Sequence, residues 1–337
     1  MPRQATSAGT AGYRARHAGG FQRDFYRGGP LGLSLSSIGI GTYLGDDSDH
    51  DDLAYVEAVR RAVAAGVNVI DTAINYRCQR SERAIGRALH GAMIAGEVSR
   101  DEVVVCTKGG YVPLDGYPPA TPEGYQGYLR REFYARNVMT SADLVSGGHC
   151  LTPEFLRDCL TRSRVNLGLD AVDVYYVHNP EQQLAAVSYD ELLDRLRAAF
   201  ACLEDCVERG EIGVYGCATW QALRVGPGTH GHLALADLVQ LAREVAGETH
   251  HFRVVQMPIN LAMPEAMRAP TQPLPGGKLV PAVEAARELG LSVVASATLM
   301  QSQLAANLPP AVRELFPALQ TDAQRALAFV RSLPGVT

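Results

Sequence analysis

Lysine is almost missing from this chain: only Lys108 and Lys278 accompany the arginines among its 31 basic residues. Other things are scarce too, and each scarcity excludes something. Basic excess is lacking, since the formal net charge is −5, and a nucleic-acid grip needs a basic footprint. No apolar run approaches the roughly 18 residues of a membrane-spanning helix, so no membrane role is expected. The seven cysteines are odd in number and irregular in spacing, with no CxxC and no HExxH. That pattern excludes a disulfide framework and a common zinc site, and it suits small core thiols in a reducing, cytoplasmic compartment. His149-Cys150 and His250-His251 have no partners at ligand spacing. A dinucleotide fingerprint is lacking as well. Gly39-Ile40-Gly41 begins one, but Leu44 stands where the third glycine is needed, and Asp46 and Asp47 follow.

What is present is a long series of alternations. Near-continuous Val/Ile/Tyr runs predict strands over 36–42, 68–73, 102–108, 172–178, 212–218, 253–260 and 291–298, the pattern of strands buried on both faces of a parallel sheet. Helical periodicity lies between them, for example over 51–65 ending at Gly66 and from Thr152-Pro153 through Leu156, Leu160 and Leu167. Further helices fit 233–246, 279–289 and 321–332. Seven β/α units in unbroken series predict an α/β fold, a (β/α)8 TIM barrel, in which Pro334–Thr337 would only begin an eighth strand. Residues 1–24 hold four arginines among Ala, Gly and Ser and no acid before Asp24, and they read as a disordered tail. The barrel would occupy 25–337. It would carry an insertion over 111–151 whose tyrosines, prolines and glycines suggest an ordered lid across the strand ends.

Three successive strands end in ionisable residues: Asp71, Lys108 and His178. Tyr76 follows in the loop before a helix opening at Ser81. In a barrel the C-terminal strand ends converge on one rim, so the four residues would meet there. The set suits protonation of a carbonyl oxygen. A phenol with a pKa near ~10 is a poor acid at neutral pH, and an adjacent ammonium should lower it. Asp71 would keep that ammonium charged and in place, and His178 could orient the substrate oxygen. The scarcity of lysine makes Lys108 the more telling, because arginine cannot supply a compact point charge.

The runs Gly41-Thr42-Tyr43, 68-NVIDTAINYR-77, Ser81-Glu82, Ile85-Gly86, Thr107-Lys108-Gly109-Gly110 and 174-VYYVHNPE-181 resemble the aldo-keto reductases, over roughly residue 25 to the end. The resemblance implies a TIM barrel that binds extended NADP(H) and reduces a small-molecule aldehyde or ketone. Tyr76 would be the acid, Lys108 and Asp71 its tuning pair and His178 the orienting donor. It further implies cofactor contacts from Gly41, Thr42, Tyr43, Asp71, Thr219, Gln256, Ser296 and Leu299. The match thins along the chain. Gly216-Cys217-Ala218-Thr219 stands where the family often has Gly-x-Ser-Asn, Ser296 stands where many members stack an aromatic residue, and 297–301 depart from the usual Ser-Pro-Leu loop. The segment that in the family binds the adenosine and its 2′-phosphate has no counterpart. Two other readings stay open: a catalytically weak homologue serving as a cofactor-sensing or binding module, and a lyase using Lys108 as a Schiff base. Substrate identity, NADP against NAD preference and oligomeric state have no signature in the sequence.

Overall fold

The computed structural model describes residues 3–22 and 24–337; Met1, Pro2 and Arg23, part of the expected N-terminal tail, lie outside the described residues. Seven parallel strands form one curled sheet: β1 (Gly39–Gly41), β2 (Val69–Asp71), β3 (Val104–Gly109), β4 (Val172–His178), β5 (Ile212–Ala218), β6 (Phe252–Pro258) and β7 (Ser292–Ser296). They are ordered in space as in sequence, β1 and β7 being the two edges. Side chains alternate between two cores, as a period of two requires. Val104, Cys106, Val174, Tyr176, Val214 and Val254 face the inside of the curl. Val103, Val105, Tyr175, Val177, Tyr215 and Phe252 face the surrounding helices. Burial on both faces is why the strands read as continuous apolar runs.

Among the described residues the α-helices of seven residues or more are α1 (Ser7–His17), α2 (Asp49–Ala64), α3 (Arg80–Ile94), α4 (Pro122–Leu129), α5 (Pro153–Leu167), α6 (Tyr189–Glu208), α7 (Leu235–Ala246), α8 (Ala282–Glu288) and α9 (Asp322–Arg331). The local signals behind them are ordinary. Ser48 caps α2 on the Asp51 N–H, Pro153 opens α5, and Gly168 closes α5 in a left-handed conformation. This is the architecture of a (β/α)8-type barrel whose sheet is open among the described residues. At the outer edge of β7, Thr337 N–H donates to the Val293 carbonyl at 2.8 Å.

Two expectations are corrected. The segment read as a disordered tail carries α1. Thr6 caps it, the buried Tyr13 hydroxyl donates to the Val63 carbonyl, and Arg16 pairs with Glu102. The Ala5 N–H just before it reaches the buried Asp173 carboxylate at 2.6 Å. An Ala/Gly/Ser-rich stretch with one apolar anchor shows no periodicity, so the signal was tertiary rather than local. The run 36–42 is not one strand: Ser34–Ser36 pairs antiparallel with Tyr26–Gly28, and β1 starts afresh at Gly39. Asn68 fastens the break, accepting from Ser36 N–H at 2.8 Å while its own N–H donates to Ser36 Oγ. Leu33 and Leu35 of that hairpin, with Ala5, pack on the inner core.

Candidate active site

The register of the sheet sets the rim. Gly41 pairs with Asp71, Lys108 with Tyr176, His178 with Ala218, and Ala218 with Gln256. The C-terminal ends of β1 to β6 are thereby brought side by side. Asp71 ends β2, and Lys108 extends from β3 with its ammonium 2.7 Å from Asp71 Oδ2 and 2.7 Å from the Thr72 carbonyl. The chain leaves β2 through Thr72 and Ile74, whose N–H groups donate to the Cys106 and Lys108 carbonyls, and then turns at Tyr76. Lys108 Nζ sits 5.0 Å from the Tyr76 ring centre. The His178 ring meets Tyr76 edge to face at 5.9 Å, and Tyr43 meets Tyr76 from another direction at 5.1 Å. Asp71, Lys108 and His178, expected at three strand ends, and Tyr76, expected in the loop after the first of them, do come together.

The electrostatics correct one step of the sequence argument. Burial raises the Tyr76 phenol above its ordinary value, and Lys108 only partly opposes that rise. The phenol is therefore fully protonated at neutral pH, with the ammonium limiting the penalty of desolvation rather than overturning it. Burial also works against a charged Lys108, but Asp71 and Tyr76 outweigh it and hold the ammonium above the usual lysine value. His178 is pushed well below the normal histidine range by burial, then by Lys108 and His149. Its imidazole is neutral, and its Nδ1 is buried without a partner.

The residues expected to hold cofactor separate into two groups. Thr42 is buried and its hydroxyl donates to Thr72 Oγ1 at 2.8 Å, while Tyr43 stands half exposed at the mouth and Gly41 ends β1. Thr219 Oγ1 is buried and unpartnered at the end of β5. Gln256 donates its amide N–H to Asp71 Oδ1 at 3.0 Å, a link the sequence did not suggest; its carbonyl oxygen has no partner among the described residues. Ser296 and Leu299 make no side-chain hydrogen bond to these residues, although Ser296 pairs with Pro258 two positions beyond Gln256. Ser296 ends the edge strand β7, and Leu299 belongs to a loop in which Ala297, Met300, Gln301 and Ser302 all have positive φ.

Sequence reasoning missed several supporting residues. Directly after Tyr76, Arg77, Cys78 and Gln79 take φ of 48°, 52° and 69°, a left-handed run that is strained for side chains with a Cβ. It is pinned by Arg77, whose buried guanidinium donates to the Asp46 and Ser48 carbonyls and pairs with Asp52 at 2.8 Å. Asp52 also receives Arg80 at 2.9 Å. Three non-glycine residues with positive φ leave no compositional mark, so the turn was invisible. The aromatic residues of the insertion over 111–151 have definite places too. Most of its aromatic residues turn inward: Tyr128 and Phe133 form a small core with Ile74 and Phe155. Tyr117 is exposed beneath Arg80. Only Tyr111 reaches the rim, 5.0 Å from the His178 ring, with its hydroxyl accepting from Asn179 Nδ2 at 3.1 Å. His149, set aside as an orphan histidine, is buried behind it. No cluster of metal-binding residues occurs among the described residues.

Against known families, residues 37–226 match the model of the aldo/keto reductase family. The chain belongs to that family. Its curated relatives include the NADH-specific methylglyoxal reductase of Escherichia coli, 29% identical over 157 residues that make up 44% of this chain and 40% of that one. The D-threo-aldose 1-dehydrogenase of a Pseudomonas species is 30% identical over 175 residues, 50% of this chain and 48% of that one. The chain thus matches less than half the length of either. Among solved structures, an aldo/keto reductase from Klebsiella pneumoniae in complex with NADP and acetate superposes with a TM-score of 0.59 at 20% identity, covering 94% of this chain and 83% of that chain. A thermostable aldo-keto reductase bound to the inhibitor epalrestat gives 0.60 at 18% identity, covering 93% and 87%. As an aldo/keto reductase the chain has the expected barrel-type fold, and no helix of the described residues is long and apolar enough to cross a membrane.

Proposed function

We propose that this aldo/keto reductase reduces the carbonyl of a small aldehyde or ketone to an alcohol with a nicotinamide cofactor, NADP(H) being the form the family resemblance implies. The observation that carries the reading is the Lys108–Asp71 pair set against the protonated Tyr76, with a neutral His178 whose ring meets the phenol edge to face. Partners for such a cofactor stand at the ends of β5 and β6. Thr219 presents an unpartnered hydroxyl there, and Gln256 presents an uncommitted carbonyl oxygen one strand away. A donor beside an acceptor suits a carboxamide such as that of nicotinamide. Thr219 and Gln256 would hold that amide, and Tyr43 and Thr42 would border the same mouth. When bound, the reduced nicotinamide supplies the hydride.

The chain's own groups do the rest. His178, neutral, donates a hydrogen bond that orients the carbonyl oxygen toward the phenol. Tyr76 gives its proton to that oxygen as negative charge develops there. Lys108 stabilises the phenolate left behind, and Asp71 keeps Lys108 in place, itself steadied by Gln256. A proton from solvent then restores the phenol. Incubating the chain with NADPH or NADH and a panel of small aldehydes, dicarbonyls and sugars, with alcohol product measured, tests the reading. Cofactor binding without oxidation in the presence of any carbonyl would speak for a binding module instead.

A further inference from the structure

The insertion over 111–151 is tied to the catalytic rim through its two ends, and the tie runs through His149. Tyr111 and His149 form an isolated antiparallel bridge, and Cys150 N–H donates to the Gly110 carbonyl at 2.8 Å. The β3–β4 ladder runs as far as Gly109 opposite Val177. There β3 turns away at Gly110, which has φ +144° and passes so close that a Cβ would lie 2.9 Å from the His178 carbonyl oxygen. That carbonyl, at a buried strand end, is left without a rung from β3. His149 supplies one: its Nε2 is 2.8 Å from the His178 oxygen, and since a carbonyl only accepts, Nε2 carries the proton.

The other side of the ring is fixed too. Gln183 Oε1 accepts from the Arg195 guanidinium of α6, so its amide N–H faces His149 Nδ1 at 2.7 Å. His149 is thereby neutral with Nδ1 as acceptor, and burial favours the same form. Tyr111 closes the bracket, its ring edge to face with both His149 at 4.9 Å and His178 at 5.0 Å. We propose that His149 is a positioning residue for His178, replacing the hydrogen-bond rung that β3 omits and linking the insertion and α6 to the group that orients the substrate. The proposal rests on the role of His178 given above.

Nitrogen-detected NMR of ¹⁵N-histidine-labelled protein, combined with steady-state kinetics on His149→Phe and His149→Gln, tests it. In the unsubstituted chain His149 is expected as the Nε2–H form. His149→Phe keeps the ring against Tyr111 but removes the donor. It should shift the His178 imidazole signals and lower kcat about tenfold or more, since small misplacements of a reacting group are costly. KM should stay within about twofold, because ground-state binding is not what His149 supports. His149→Gln can still donate to the His178 carbonyl and should recover most of kcat. An Nδ1–H form of His149 would overturn the proposal. So would unmoved His178 signals in His149→Phe, or Gln and Phe variants that lose kcat equally. Should His149→Phe not fold, the wild-type tautomer and the Gln variant still decide. If the unsubstituted chain reduces no carbonyl, the functional reading fails, while the NMR arms judge the bracket on their own.

Discussion

Replacing Lys108 by methionine removes one charge and keeps a similar apolar stem, so its effects divide cleanly between stability and chemistry. In the folded chain the ammonium is 1% exposed and the Asp71 side chain 23% exposed, at 2.7 Å separation. Breaking a buried pair by deleting one partner costs about 3–5 kcal/mol. Asp71 retains the Gln256 N–H and some water, so the lower end, about 3 kcal/mol, is expected, a drop of roughly 6 °C in Tm at about 2 °C per kcal/mol. Adding Asp71→Asn to Lys108→Met removes the stranded carboxylate and should return part of that stability without returning activity. On the chemical side, an opposite charge at this range shifts a pKa by about 1–3 units, and proton transfer transmits a fraction of that to the rate. Reduction should therefore slow by roughly 10- to 10³-fold, within the span of general acid catalysis. The sign of the pH dependence is fixed by the same picture. The phenol is active when protonated and its pKa is raised, so reduction should be level across neutral pH and fall only in strongly alkaline solution. In Lys108→Met that fall should move to higher pH still. The assays are thermal unfolding and initial rates against pH. Full activity in Lys108→Met or Lys108→Arg, or an alkaline limb that moves to lower pH, would refute the reasoning.

Three further outcomes are expected. The His178 imidazole should remain neutral at about pH 6, below the unperturbed value near 6.5, because burial, Lys108 and His149 all depress it; an NMR titration midpoint at or above that value would contradict the site's electrostatics. Gly110→Ala should cost roughly 2–4 kcal/mol and slow reduction, since its φ is positive and its Cβ would press on the His178 carbonyl and His149; denaturant unfolding reads the loss, and a stability change under about 0.5 kcal/mol would count against it. Arg77→Met should destabilise by about 1–3 kcal/mol because the Asp46 and Ser48 carbonyls lose their donor while Asp52 keeps Arg80, with Arg77→Gly less harmful because glycine accepts φ near 48°; the reverse order would show that strain at this turn is unimportant.

The alternation of strands and helices was legible because both faces of each strand are buried and periodicity is a local signal. β4 and β5 fall where the Val/Tyr runs end, at His178 and Ala218. The tetrad was legible for a related reason: strand ends in a barrel converge, so three ionisable residues at three ends imply one site. What escaped was set by contacts distant in sequence. α1 is held by Asp101, Glu102 and Asp173 rather than by its own pattern. The left-handed turn at 77–79 depends on Asp46, Ser48 and Asp52. The rise of the Tyr76 pKa depends on how deeply the rim is desolvated, and no spacing of residues reports that. His149 looked idle because its partners are a backbone carbonyl and an amide, neither of which leaves a ligand-like motif.

The central claim is that Tyr76 delivers the proton in nicotinamide-dependent carbonyl reduction, and the most direct test is Tyr76→Phe in the otherwise intact chain, with turnover and cofactor binding measured on the same preparation. The variant should show unchanged folding, cofactor affinity within about twofold, and alcohol formation reduced by at least about 10²-fold, the usual span for loss of a general acid. Turnover in Tyr76→Phe equal to that of the unsubstituted chain would contradict that claim.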